Sequence, residues 1–496
     1  MTQGHDTDLL AIRCADCARS DSLDHDLRPT AYLPLPAEAL AGYPDGVESV
    51  RRFSRRSFMR GGIGALAAVY GATQVRLPHM WDAAVANAAQ PMQRSLVVLF
   101  LNGGNDGLNV IVPNDATQFA AYNTLRGPLA RIQGPSTGTS VGTTVMPGTG
   151  SGLAFANKLV AGTANNGGTI GFDTMYGDGS GGAGSDLAVF PAADYTPPNL
   201  SHFSSRDFWF AGALQKMSAG WLGRWLDLYG SGVNPLQAVS LGSGLSKQIR
   251  SAKAPVCSVD QLGTTSFSIP GVGSSDVDLS YELGRLSGVP AAPDNAGLGK
   301  ARGAYGTTVQ VAQQLKGITL GSTAAAYPNS ILSTRLRTAA TLLSAGLGTR
   351  IITIDWGSFD THGNQVASQD PQLQTLSRAM AAFKDDLTAR GIEQNVVTLV
   401  FSEFGRRAKA NASNGTDHGA GGTMFVSGTA VRGGLAGIHP GVTSLDSNGD
   451  LKVQTDFRTV YEALIAEWLG GDPTAVIPGA PHGGIQRYDA GTRLMK

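Results

Sequence analysis

Three apolar runs, Leu96–Leu101, Ile351–Ile354 and Val396–Phe401, each lead directly into polar, chemically capable residues. The first ends in Asn102-Gly-Gly-Asn-Asp106, the second leads to Asp360-Thr-His362, and the third to Ser402-Glu-Phe-Gly-Arg406. Short apolar runs bounded by turn residues read as buried strands. In open α/β sheets, ligand sites form beyond the carboxyl ends of parallel strands. A fourth string, Gly415-Thr-Asp-His-Gly419, supplies another acid–histidine pair on a glycine-flanked loop. The expected fold is therefore α/β, a largely parallel sheet flanked by helices, with its chemistry at the strand ends.

The remaining elements fit that frame. A helical pattern runs from Ser204 to Tyr229, with Trp209, Leu214, Met217, Trp221, Leu222, Trp225 and Leu226 recurring at three- and four-residue steps. This aromatic stripe reads as core. Residues 236–242 read as a strand, and Ser330 to Leu347 as a helix. Asp370-Pro371 reads as a helix start, an N-cap followed by proline in the first turn. That helix ends at Gly391, and with the runs on either side it makes a strand–helix–strand unit, which implies parallel strands. Thr423–Val426 reads as a further strand and Phe457 to Leu469 as a closing helix. Residues 127–195, rich in Gly, Ser, Thr and Asn, read as a loop and short-strand insertion. One α/β domain with Gly/Ser/Thr-rich insertions is expected over 89–496.

Residues 1–88 read as a leader. Ser54-Arg-Arg-Ser-Phe-Met-Arg60 has the form of a twin-arginine export signal, followed by the mildly apolar stretch Gly61 to Val75 and a small-x-small cleavage site at Ala86-Asn-Ala88. The product is expected to be periplasmic or secreted, with the twin-arginine translocation machinery as its export partner and no membrane span. Cys14 and Cys17 precede the signal, so Cys257 would stand alone and no internal disulfide framework is expected. The formal net charge is zero, which argues against nucleic acid as a partner.

Asp360 and His362, two apart in an extended segment, would point the same way and could share one cation. Glu403 closes the third apolar run. His418 can bend toward a site, and Asp417 could be a ligand or orient one. His439 and His482 read as surface residues. Ser201-His202-Phe-Ser204 opens a helix, where free N–H groups suit a phosphate or sulfate ester. Ser201 or Ser204 could be a nucleophile or merely a cap, or a metal could activate water without either. A metal-free Ser/His/Asp hydrolase has no G-x-S-x-G elbow to support it. Arg206 and Arg406 are candidates to clamp an anion or to form structural ion pairs.

In this order, Leu101-Asn-Gly-Gly-Asn-Asp106, Ser201-His-Phe203, Gly220-Trp-Leu-Gly-Arg224, Phe359-Asp-Thr-His362, Ser402-Glu-Phe-Gly-Arg406 and Thr416-Asp-His-Gly419, after the export leader, resemble the secreted bacterial proteins called domain of unknown function 1501. The resemblance runs from about Leu96 to Gly479. It implies an alkaline phosphatase and sulfatase type of α/β fold, whose superfamily binds two metals, commonly zinc, manganese or calcium. Asn102 falls where the first aspartate ligand would be, with Asp106 near enough to substitute. Asp360 and His362 look like the Asp/His pair, Glu403-Phe404 stands where Asp-His would be, and His418 is similar to the late histidine. Ser201 or Ser204 falls loosely in the nucleophile region, and His202 and Arg406 are further candidate catalytic residues. Asn for Asp and Phe for His reduce the expectation to one divalent ion, held among Asn102, Asp106, Asp360, His362, Glu403, Asp417 and His418. Two functions follow. One is a metal-dependent hydrolase of small anionic phosphate or sulfate esters. The other is a non-catalytic protein that binds such a ligand or an extracellular polymer.

Overall fold

A computed structural model describes residues 93–131, 143–147, 152–161, 171–242, 244–260, 262, 308, 311–312, 314–315, 318–485 and 493–496. The twin-arginine string, the cleavage site, Cys14 and Cys17 lie outside the described residues. Strand β1 (Ser95–Leu101) is buried along its whole length. The short strands β2 (Ile111–Pro113), β3 (Thr143–Val145) and β4 (Leu153–Ala156) form a separate antiparallel sheet. The main sheet continues with β5 (Leu187–Asp194), β6 (Ala238–Leu241), β7 (Cys257–Val259), β8 (Ile351–Trp356) and β9 (Val396–Ser402). After the small β10–β11 hairpin (Gly405–Arg406 and His418–Gly419) come β12 (Gly422–Ser427), β13 (Gly434–Leu435) and β14 (Thr455–Asp456).

The main-sheet order is β13-β5-β12-β9-β1-β8-β6-β7, with β14 also paired to β5. Strands β9, β1, β8, β6 and β7 are parallel, and among the described strands of this sheet only β12 runs against its neighbours. In this register Leu101 pairs with both Trp356 and Ser402. Three consecutive parallel strands thus end at one level, and Asn102, Gly357 and Glu403 leave the sheet together.

Alternation along β1 divides the core. Val97, Leu99 and Leu101 face one cluster, and Leu96, Val98 and Phe100 the other. The first face packs α5 (Ile331–Ser344) and α6 (Gln365–Ala389), and the second packs α3 (His202–Ala211), α4 (Trp221–Tyr229) and α7 (Phe457–Ala463). Two short helices, α1 (Ala116–Arg126) and α2 (Phe172–Tyr176), precede them. The aromatic stripe is core. Trp209 stacks between Phe401 and Phe457 at 5.2 and 4.2 Å, and Trp221 stacks on Tyr461 at 4.3 Å. Helix α4 lies almost on the 247–250 backbone. A Cβ on Gly223 would sit 1.9 Å from the Arg250 carbonyl oxygen, so no side chain fits there.

Three boundaries differ from expectation. The helix anticipated over 204–229 is two, because Gly212 turns left-handed (φ 60°) and closes α3; Met217 falls in the exposed link. Helix α6 begins at Gln365, leaving Pro371 inside it. Its first residues are held by the neighbouring loop, with Gln365 N–H donating to Asn414 O at 2.9 Å, so the helix starts before its proline. Strand β5 lies inside the region read as insertion and is fully buried. Its Pro191 and left-handed Ala192 (φ 51°) lie where the pairing with β12 shifts register, and a bulge is where a buried strand tolerates proline.

Candidate metal centre

The centre forms where β1, β8 and β9 stop. Gly103, at φ 109°, brings the chain so close to the β8 loop that a Cβ would lie 2.4 Å from Asp360 N. Glu403 turns inward beneath this loop. Its carboxylate accepts from Gly103 N–H at 2.9 and 3.1 Å and Gly104 N–H at 3.0 Å, and meets His202 Nδ1 at 2.7 Å. His202 opens α3, whose first turn is anchored by Ser205 Oγ donating to the Glu403 carbonyl at 2.5 Å.

Three imidazoles converge on Asp360. His202 Nε2 lies 3.4 Å from Asp360 Oδ2, and His362 and His418 Nε2 lie 3.0 and 3.1 Å from Oδ1. The two latter Nε2 atoms are 3.0 Å apart. Each ring is fixed through its other nitrogen. His202 Nδ1 faces Glu403, His362 Nδ1 faces Asp417 at 3.0 Å, and His418 Nδ1 faces the Leu200 carbonyl at 2.8 Å. A carbonyl only accepts, so His418 carries a hydrogen on Nδ1, and when its ring is neutral and no longer donates to Asp360, Nε2 is the atom free to ligate a metal. Histidines that bind metals are oriented in this way, by carboxylate or carbonyl acceptors behind the ring. The donor atoms of His202, Asp360 and His418 lie within 4.8 Å of one another, and these three residues could hold a metal ion. His202 Nε2 is buried and makes no well-formed hydrogen bond, its nearest partner being Asp360 Oδ2 at 3.4 Å, so a metal could take the place of a proton there.

The electrostatics follow from this crowding. Burial alone would raise Asp360, but His202, His362, His418 and Arg406 hold its carboxyl far below the usual carboxylate range. Burial opposes a charge on His202, yet Asp360 and Glu403 outweigh it and push the ring up to about 9. His362 is raised, chiefly by its bond to Asp360, and His418 is lowered, chiefly by burial. Burial would also raise Glu403 and Asp417, but His202 and His362 respectively bring them down.

The other expected site residues are placed differently. Asp106 is not in the cluster. It is buried against Arg126, with Arg126 Nη2 at 2.8 Å and Gln365 Nε2 also donating to it. Asn102 is held by its backbone, donating to Trp356 O and accepting from Phe359 N–H at 2.7 Å. Glu403 and Asp417 stand behind imidazoles. Arg406 has a fully buried guanidinium occupied by the Gly103, Gly104, Phe359 and Thr416 carbonyls and by Asp360 Oδ1 at 2.7 Å. It ties the site loops together and is not available to clamp an anion. Ser201 is the N-cap of α3 without a side-chain capping bond, and Ser204 is part-buried in the first turn. Phe404 packs against the rings of His202 and His418 at 4.8 and 4.6 Å. His482 is no surface residue. Its Nδ1 meets Glu462 at 2.5 Å in a largely buried pair.

A mostly parallel sheet that ends in a His/Asp cluster defines the class: an α/β protein with a candidate metal centre at its strand ends. Residues 303–465 match the family model described as "Protein of unknown function (DUF1501)", a span that carries Asp360, His362, Glu403, Asp417 and His418. The matched span does not include His202. No curated protein matches the chain.

Proposed function

We propose that this chain is an exported hydrolase of phosphate or sulfate esters that works with one divalent metal. His202, Asp360 and His418 would hold the ion, with His362 beside them. The observation that carries this reading is the convergence of three imidazole Nε2 atoms on one carboxylate, each ring fixed from behind. Three imidazoles favour zinc, manganese or another transition ion over calcium, which prefers oxygen ligands. The side chains of Asp360, His362 and His202 are 34, 24 and 22% exposed, so the centre opens to solvent and to a small ester. Bound there, a divalent ion supplies Lewis-acid polarisation and a water nucleophile at neutral pH. The chain's own part is to hold the three rings, to keep Asp360 ionised, and to offer the exposed Asp417 carboxylate behind His362 for proton exchange with solvent.

One observation favours the second reading, a non-catalytic binding protein. Arg406, whose guanidinium reaches Asp360 Oδ1 at 2.7 Å, is wholly occupied within the protein. The deciding experiment is elemental analysis of the exported, folded protein, paired with a screen of phosphate and sulfate esters. The hydrolase reading expects about one transition-metal ion per chain and turnover abolished by chelation. Less than one tightly held ion and no turnover would sink it. A bound ion without turnover would leave the binding protein.

A further inference from the structure

We infer that Gln365 is a positioning residue that sets the spacing between the two ligand-bearing loops, and with it the affinity and geometry of the metal centre; this rests on the metal reading above. Gln365 is fully buried at the first turn of α6. Its Oε1 accepts from Thr361 Oγ1 at 3.1 Å and from Thr416 Oγ1 at 2.6 Å. Thr361 lies between Asp360 and His362, and Thr416 lies directly before Asp417 and His418. One amide oxygen therefore joins both ligand strings through neutral hydroxyls. A backbone bond, Thr416 N–H to Thr361 O at 3.1 Å, runs alongside.

The amide can face only one way. Its Nε2 donates to Asp106 Oδ2, and a flipped amide would turn its oxygen toward that carboxylate. Asp106 in turn cannot move, because Arg126 grips both its oxygens inside the protein. The chain of contacts thus runs from a fixed ion pair, through Gln365, to the loops that carry the candidate ligands. On the solvent side a second amide acts between the same loops. Asn411 Nδ2 donates to His362 O at 2.9 Å and to Asp417 Oδ1 at 3.1 Å. Gln365 is distinguished by its burial, which excludes water as a substitute partner.

Groups behind metal ligands typically change affinity by about 10- to 100-fold when removed. The test uses the full chain loaded with cobalt(II) or zinc. Gln365→Met keeps length and removes both functions of the amide. Thr416→Val keeps shape and removes one hydroxyl, and Thr416→Ser restores it. The expected result is cobalt affinity at least about tenfold weaker in Gln365→Met and Thr416→Val, with a shifted cobalt absorption spectrum. Thr416→Ser should bind as wild type does. If Gln365→Met fails to fold, the Thr416→Val and Thr416→Ser pair decides. Folded variants with wild-type affinity and spectrum overturn the inference alone, whereas a wild-type chain that takes up neither ion overturns the metal reading and this inference with it.

Discussion

Two carboxylates a short distance apart in this molecule meet their charge in opposite ways. Asp106 is sealed, its side chain 1% exposed, and faces the guanidinium of Arg126, itself 0% exposed. Burial would raise Asp106, but Arg126 outweighs it and lowers it. Asp360 is 34% exposed and is ringed by three imidazoles as well as Arg406. A guanidinium does not give up its proton in a protein, so the Asp106 pair is permanent. An imidazole exchanges its charge near neutral pH and can release its proton in favour of a metal. The sealed pair fixes the scaffold, and the open cluster is where protons and a cation can replace one another.

The largest expected effect removes the exchangeable side of this comparison. His418→Ala or Asp360→Ala should lower zinc per chain from about one to near zero, because each deletes a ligand from a small set. Elemental analysis after dialysis checks it, and full retention of zinc in both variants would place the ion elsewhere. Next comes the permanent side. Arg126→Met leaves a buried carboxylate without its counter-charge, at a cost of about 3–5 kcal/mol. Urea unfolding measures it, and a second change, Asp106→Leu, should recover part of the loss. Equal stability of Arg126→Met and wild type would mean that the pair is not needed to hold the scaffold. The smallest effect is a proton count. His202, raised to about 9, carries a proton at pH 7.5 in the metal-free chain. Metal binding should release it, and affinity should strengthen as pH rises toward 9. Calorimetry in buffers of different ionisation enthalpy reads this directly. For the metal-free chain the sign reverses. A histidine raised on folding gives stability that is complete below about 6.5 and is lost as pH climbs through about 9. A flat profile in both measurements would remove the distinction between the two carboxylates.

Much of the scaffold was legible because apolar runs and turn residues are local signals. β1, β8, β9 and β12 came from such runs, and the parallel arrangement came from the helix between β8 and β9. β5 was hidden, since Pro191 and the glycine-rich sequence before it argue against a central strand until the bulge is seen. The α3–α4 break was hidden too, because the aromatic spacing continues across Gly212. At the site, Asp360, His362 and His418 stood out as acid–histidine strings. The role of Glu403 did not, and Arg406 kept two readings open, an anion clamp or a structural ion pair, since a residue's type does not reveal whether its charge points toward solvent or into the protein. Gln365, Thr361 and Thr416 were missed. A neutral buried amide leaves no mark in composition, though both threonines sit inside the strings that drew attention.

The centre gathers residues from remote parts of the chain: His418 and Asp360 are 58 positions apart, and His202 and Glu403 are 201. No short segment holds the set, so an unfolded chain would have no comparable grip on an ion, and closing such long loops comes late in folding. Cobalt colour would then act as a clock. Added at the start of refolding, it should appear only with the final closure of the sheet, after helix signals have already returned.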